Sequence, residues 1–218
     1  MIKRLIFDVD NVLIPWKEEY SKAIDKALNE LGIVKDNLDG EIIRKVQLEW
    51  ESTITKYDKK DMLNYFNKSL NANLTMKFID LWQVNLAECV SKDFPKSYYE
   101  TFKYLSSKYE LVALTNWFTE TQSERLKTAN IYQYFKMVYG GELSAKPNIE
   151  SFINTLGENR PEECAMIGDD LEIDILGAKK AGIKNLVWKD IHNKKEEYIG
   201  LLEGVTVIKE IEELKNIF

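Results

Sequence analysis

Leu5, Ile6 and Phe7 form an apolar run too short for a helix, and Asp8 and Asp10 close it at once. Such a run beside turn residues reads as a buried strand. A strand that stops in two carboxylates places them at the carboxyl edge of a sheet, where open α/β folds bind ligands. Two like charges so close are costly to bury unless a cation or a proton compensates them. The plain alternative is a turn capped by one Asp with the other in water. The rest of the chain has to decide between these.

The organisation behind that strand is uneven. From Trp16 to about Val90 there is no strand signal, and apolar residues recur at helical spacing in four stretches. They are marked by Tyr20, Ile24 and Leu28; by Ile42, Ile43, Val46 and Trp50; by Met62, Tyr65 and Phe66; and by Phe78, Leu81, Trp82 and Cys89. Gly32 is a helix stop, and 39–40 and 71–75 are turns. Four amphipathic helices with short polar joins bury their stripes as a small bundle.

From Pro95 onward strand and helix alternate. Strands are expected at 111–114, 137–139, 165–167, 186–188 and 205–208. Helices are expected from Pro95 through Leu105, at 119–129, 148–156 and 171–181, with Gly182 as a C-cap and a short helix at the end. This alternation implies βαβ units and a parallel sheet. The fold class is therefore α/β, a Rossmann-like core (1–15 plus 92–218) with a helical-bundle cap (16–91) inserted after the first strand.

A net charge of −6 over 218 residues leaves no basic stripe for a nucleic-acid polymer or an anionic membrane. It leaves room for a small phosphorylated metabolite, which needs one local positive site. Cys89 and Cys164 stand far apart and form no metal or redox motif, which suits a reducing compartment. The start MIKRLIF is too short and too soon interrupted by acid for a signal peptide, and no apolar run approaches a membrane span. The expectation is a soluble, cytoplasmic protein.

Three strands end in groups with chemistry: the first in Asp8 and Asp10, the second in Thr115 and Asn116, a later one in Asp169 and Asp170. Lys146 lies in a loop, and Pro147 after it disfavours helical geometry at the lysine. Strand ends of a parallel sheet share one edge, so these residues converge. Mg²⁺ takes carboxylate, water and phosphate oxygens. A lysine and hydroxyl or backbone donors hold phosphoryl oxygens. A carboxylate can attack phosphorus, and a second carboxyl can carry the proton.

These residues carry a resemblance. DVDNVL, LTN, AKPN and IGDDLEIDILGAKKAGI match, in order and spacing, the four motifs of the haloacid dehalogenase-like (HAD) superfamily. The helical insertion looks like the cap of its phosphatase branch. TNWFTETQ, with AKPN and the GDD motif, is most similar to nucleotidase-like and phosphoglycolate phosphatase-like members. The resemblance implies a Mg²⁺-dependent phosphatase that hydrolyses a small phosphomonoester, such as a nucleoside monophosphate or a sugar phosphate, through an aspartyl-phosphate. It implies Asp8 as nucleophile and metal ligand, and Asp10 as general acid/base that also offers its backbone carbonyl to the metal. It assigns Thr115, Asn116 and Lys146 to the phosphoryl group and Asp169 to the metal. Members that attack carbon to remove halide lack an acid where Asp10 stands, so Asp10 points to phosphate esters. A phosphomutase, or a non-catalytic member that binds a phosphorylated ligand, is the alternative.

Two residues depart from the family pattern. Asn11 stands where Gly is usual, and Asn is the residue that most readily takes left-handed geometry. Val12 stands where Thr is common.

Other residues have plainer readings. Asp170 caps the helix that follows or supports the metal ligands from behind, and Asp174 either orients Lys146 or the metal waters or faces solvent. His192, the single histidine, lies in the polar run HNKKEE and reads as a solvated loop residue. Cys164 begins a buried strand without the arginine of a cysteine phosphatase, and no GxxxxGK loop is present. Trp50 and Trp82 read as cap core. Trp117 or Trp16, with Phe118, is expected to form an apolar wall against the leaving group.

Overall fold

Arg4–Phe7 (β1) runs through the middle of a parallel sheet and pairs on both sides, with Glu110–Leu114 (β2) and with Cys164–Gly168 (β4). The structure is a computed structural model, and it describes residues 1–16, 19–33 and 38–218 of the chain. Phe135–Tyr139 (β3), Asn185–Lys189 (β5) and Val205–Ile208 (β6) complete the sheet in the order β3-β2-β1-β4-β5-β6.

Every residue of β1 is buried, because both faces of the sheet are covered. Alternation divides its side chains. Leu5 and Phe7 join Leu111, Ala113, Ala165 and Ile167 on one face, against Lys96–Lys108 (α5) and Thr119–Thr128 (α6). Ile6 joins Val112, Leu114 and Met166 on the other, against Ile149–Leu156 (α7) and Gly177–Lys180 (α8). The register sets Phe7 beside Ala113 and Ile167, so the ends of β1, β2 and β4 lie side by side. That register brings Asp8, Thr115 and Asp169 to one edge.

Between β1 and α5 come Glu19–Glu30 (α1), Gly40–Glu51 (α2), Lys59–Ser69 (α3) and Met76–Glu88 (α4). Of the expected cap 16–91, residues 17–18 and 34–37 lie outside the described residues. Asp39 accepts from the Ile42 amide, and Asp58 accepts from the amides of Lys60 and Asp61, so both cap helices. Gly32 has φ +65° and ends the first of the four. Trp50, Met62, Phe66, Phe78 and Trp82 form their shared core, as the periodicity predicts. That core also takes in Trp117, Phe118 and Ala145 from the α/β part. Backbone bonds from Tyr57 N to Gly141 O and from Ala145 N to Thr55 O, both 2.8 Å, tie the same seam.

Three expectations are corrected. The single helix expected at 171–181 is a π-helical stretch, Leu171–Leu176, followed by α8. Its wider turn carries Asp174 inward to Lys146, and such turns recur at functional sites. β3 begins at Phe135 rather than 137, because it is an edge strand whose Lys136 and Met137 are exposed and mask the apolar pattern. The terminal helix is a 3₁₀ segment, Ile211–Asn216, that buries Ile211 and Leu214. No helix among the described residues is long and apolar enough to cross a membrane.

Candidate active site

Asp8 lies one residue beyond β1, almost buried, with its backbone amide donating to Ile167 O at 2.9 Å. The Lys146 ammonium donates to Oδ1 of Asp8 and, at 2.6 Å, to Oδ1 of Asp174. Asn116 holds the lysine's backbone at both ends. Its Oδ1 accepts from Lys146 N at 2.7 Å and its Nδ2 donates to Lys146 O at 2.8 Å. The side chain of Asn116 thus shapes the lysine loop.

Carboxylate oxygens of Asp8, Asp169 and Asp174 all lie within 4.8 Å of one another. Burial pushes the Asp8 carboxyl well above the usual range, with Lys146 opposing. Asp169 is pushed up to about 7 by burial and then by Asp174, against an opposing bond from Asn11 Nδ2 at 3.0 Å. Burial works to lower Lys146, but Asp174 and Asp8 overcome it and keep the ammonium charged. Three carboxylates and one ammonium leave two negative charges, which a divalent cation with oxygen preference balances. The donor set therefore fits Mg²⁺. The closeness depends on Gly168, where a Cβ would stand 2.3 Å from that of Asp174.

Asp10 is held by a different set of partners. Its Oδ1 accepts from Arg125 Nη1 at 2.7 Å, and its Oδ2 accepts from Tyr20 OH and Gln122 Nε2, each at 3.1 Å. Arg125 is fully buried, with Nη2 3.4 Å from Glu19 Oε2. Gln122 Nε2 also donates to Thr115 Oγ1 at 2.9 Å, and Gln122 Oε1 accepts from Arg125 at 2.7 Å. Burial and the neighbouring Asp10 hold the Tyr20 phenol above its usual range, so it donates.

The loop after Asp8 explains its two departures. Asn11 has φ +62°, the left-handed geometry expected of it. Its carbonyl accepts from Lys189 Nζ at 2.7 Å, and its Oδ1 accepts from Trp16 N at 3.1 Å. Val12 is buried in the core against the sheet, where a hydroxyl has no place.

A cavity of about 580 Å³ opens between this edge and the helical insertion. Asp10, Asn11, Asn116 and Lys146 line it from the sheet side, and Trp16, Tyr20, Arg44, Glu51 and Tyr57 from the other. That volume suits a small metabolite.

The expectations for single residues divide. Asp174 is 1% exposed, so its solvent-facing reading is overturned. Asp170 is exposed and caps its helix through the amides of Glu172 and Ile173. His192 is exposed in a loop, and Cys164 is buried at the end of β4 away from Asp169. Trp117 is 1% exposed and packs on Trp82, Tyr20, Phe118 and Tyr57, with Nε1 donating to Gln83 Oε1 at 2.8 Å. It and Phe118 belong to the seam, and the wall residue of the pair of tryptophans is Trp16.

Sequence reasoning missed Gln122, Arg125, Tyr20, Lys189, Arg44 and Glu51. A signal existed for some of them. Gln122 and Arg125 share a helix face at i, i+3, and so do Arg44, Gln47 and Glu51 at i, i+3, i+7.

The family model of haloacid dehalogenase-like hydrolases matches residues 5–188. The chain is similar to the phosphoglycolate phosphatase of Aquifex aeolicus, 26% identical over 189 residues, which is 83% of this chain and 81% of that protein. It is 27% identical over 229 aligned positions to the glyceraldehyde 3-phosphate phosphatase of Methanothermobacter thermautotrophicus, covering 100% of both. Its fold is similar to the crystal structure of the HAD-hydrolase YfnB from Bacillus subtilis, bound to magnesium. The TM-score is 0.73 at 20% identity, over 99% of this chain and 98% of that one.

Proposed function

Because the chain belongs to the haloacid dehalogenase-like hydrolases, we propose that it hydrolyses a small phosphomonoester with Mg²⁺, through an aspartyl-phosphate on Asp8. It is a phosphoric monoester hydrolase, as its relatives are. The observation that carries the mechanism is the Lys146 ammonium shared between Asp8 and Asp174, beside Asp169. A buried carboxylate held by a lysine that itself lines a cavity of metabolite size is a nucleophile beside a place for its substrate.

In this reading residues 16–91 are a cap over a core of 1–15 plus 92–218. Lys146 and the Thr115 hydroxyl hold phosphoryl oxygens. A carboxylate oxygen of Asp8 attacks phosphorus, and the ester oxygen leaves with a proton from Asp10. Water then attacks the aspartyl-phosphate, gives its proton to Asp10, and frees Asp8 and inorganic phosphate. Asp8, Asp169 and the Asp10 carbonyl are the expected metal ligands, with Asp174 beside them. When bound, Mg²⁺ neutralises charge on the phosphoryl oxygens and on the acid cluster.

Arg125 and Tyr20 orient the Asp10 carboxyl group at the cavity wall, where it exchanges the proton. The partner is a small phosphorylated metabolite, and the location is the cytoplasm, which suits the free Cys89 and Cys164.

The test is phosphate release from a panel of nucleotides and sugar phosphates, with Mg²⁺ and with chelator, against Asp8→Asn. Turnover is expected only with Mg²⁺ and Asp8. Turnover that survives both chelator and the substitution overturns the reading.

A further inference from the structure

Arg44 reaches from the helix Gly40–Glu51 into the cavity wall, and its guanidinium is short of partners. Cζ lies 5.2 Å from the Trp16 ring centroid and 4.7 Å from that of Tyr20. Glu51 Oε2 lies 3.9 Å from Nη1, which is too long for a hydrogen bond. Among the described residues, Nε and Nη1 of Arg44 are buried and find no acceptor. Buried donors without acceptors are destabilising, and native sites that keep them have a reason outside packing.

Glu51 is an incomplete counter-charge. Its Oε1 already accepts from Gln47 Nε2 at 2.9 Å and from Tyr57 OH at 3.1 Å. Burial pushes its carboxyl above the usual range, against the pull of Arg44. The guanidinium is left electrostatically under-compensated beside the same cavity that Lys146 lines from the sheet side. Two aromatic rings hold it in place, and a guanidinium is a planar fork that matches a carboxylate.

We infer that Arg44 binds a carboxylate on the substrate, so that the substrate class is phosphomonoesters of hydroxy acids. The inference rests on the phosphatase reading above and narrows it. A carboxylate fits better than a second phosphate, because Glu51 already supplies part of the negative charge and would repel a dianion. The tryptophan and tyrosine beside Arg44 are occupied by its guanidinium, which makes them poor platforms for a nucleobase.

The test compares kcat/KM with Mg²⁺ for 3-phosphoglycerate and for glycerol 3-phosphate, which differ at the carboxylate, with propanediol bisphosphate as a third substrate. The wild-type enzyme is expected to prefer the carboxylate by about tenfold or more. Arg44→Gln is expected to erase that preference, mainly through KM, and Arg44→Lys to restore only part of it, since the charge returns without the fork. Should the variants fail to fold, the wild-type enzyme decides alone: glycerate should compete for the site at least about tenfold more tightly than glycerol. Turnover without a carboxylate preference, a preference for the bisphosphate, or an equal loss on both substrates in Arg44→Gln overturns this inference and leaves the phosphatase reading standing. No turnover of any phosphomonoester overturns both.

Discussion

Arg125 Nη1 and Asp10 Oδ1 are 2.7 Å apart, joining a fully buried guanidinium on α6 to the second acid of the opening strand. Burial alone would weaken the charge on Arg125, yet Asp10 and then Tyr20 raise its proton affinity. The pair therefore fixes the orientation of Asp10. In Arg125→Met, Asp10 loses that orientation and activation of water slows. kcat should fall about tenfold or more while KM changes little. Because the second step is slowed, a burst of leaving group should precede steady turnover. Single-turnover and burst kinetics measure both, and an unchanged kcat without a burst counts against the role.

Gly168 permits the acid cluster. A Cβ there would lie 2.3 Å from Cβ of Asp174 and 2.4 Å from its Oδ2. Gly168→Ala must displace Asp174, and through it Lys146 and Asp8. The expected cost is about 1–3 kcal/mol of overpacking, or a drop of about 2–4 °C in Tm per kcal/mol in a chain of this size. Stabilisation by added Mg²⁺ should shrink as well, and thermal unfolding with and without the metal separates the two effects.

Legibility in the sequence followed the chemistry of strands. Asp8, Thr115 and Asp169 each end an apolar run, and parallel strands share an edge, so their meeting could be read from pattern alone. The roles of Arg125 and Gln122 were only hinted at by their shared helix face, because helical periodicity assigns polar residues to solvent, and Tyr20 read as part of an apolar stripe. Only packing shows that the polar face of α6 meets Asp10. Asp174 was half legible: its spacing is visible, but the π-helical turn that carries it inward leaves no mark in composition. The four-helix insertion was legible from its stripes, whereas Arg44 and Glu51 look like ordinary surface charges until the cavity is seen.

The acid cluster of Asp8, Asp169 and Asp174 should give stability a distinctive pH dependence. In the folded protein without metal, Asp169 keeps its proton up to about 7, whereas in the unfolded chain it is released at about 4. Between those values the folded state binds more protons, so this group makes stability fall as pH rises. Asp8, also raised, acts with the same sign. With chelator present, Tm of the wild type relative to Asp169→Asn should therefore fall from about pH 4 to about pH 7. With Mg²⁺ present the trend should reverse, since the metal binds the deprotonated acids. A Tm difference that is flat across this window in both conditions would falsify the assignment of Asp169.

Trp117 offers a sharp contrast between a wall residue and a seam residue. It follows Thr115 and Asn116 directly, yet its ring is enclosed by Trp82 at 5.3 Å, Tyr20 at 5.1 Å and Phe118 at 5.2 Å. Its indole N–H is satisfied by Gln83, whose same oxygen accepts from Thr121 at 2.7 Å. Trp117→Ala should thus open a cavity where the helical insertion meets the core. The expected loss is about 3–5 kcal/mol of stability. KM should change by similar factors for nucleotides and for small sugar phosphates, because the ring touches neither. Trp16→Ala, at a residue 38% exposed on the cavity wall, should do the opposite. It should leave Tm within about 1 kcal/mol equivalent of wild type and raise KM by loosening Arg44. Chemical denaturation and KM on matched substrates distinguish the two, and a large nucleotide-selective KM effect in Trp117→Ala would return that residue to the substrate wall.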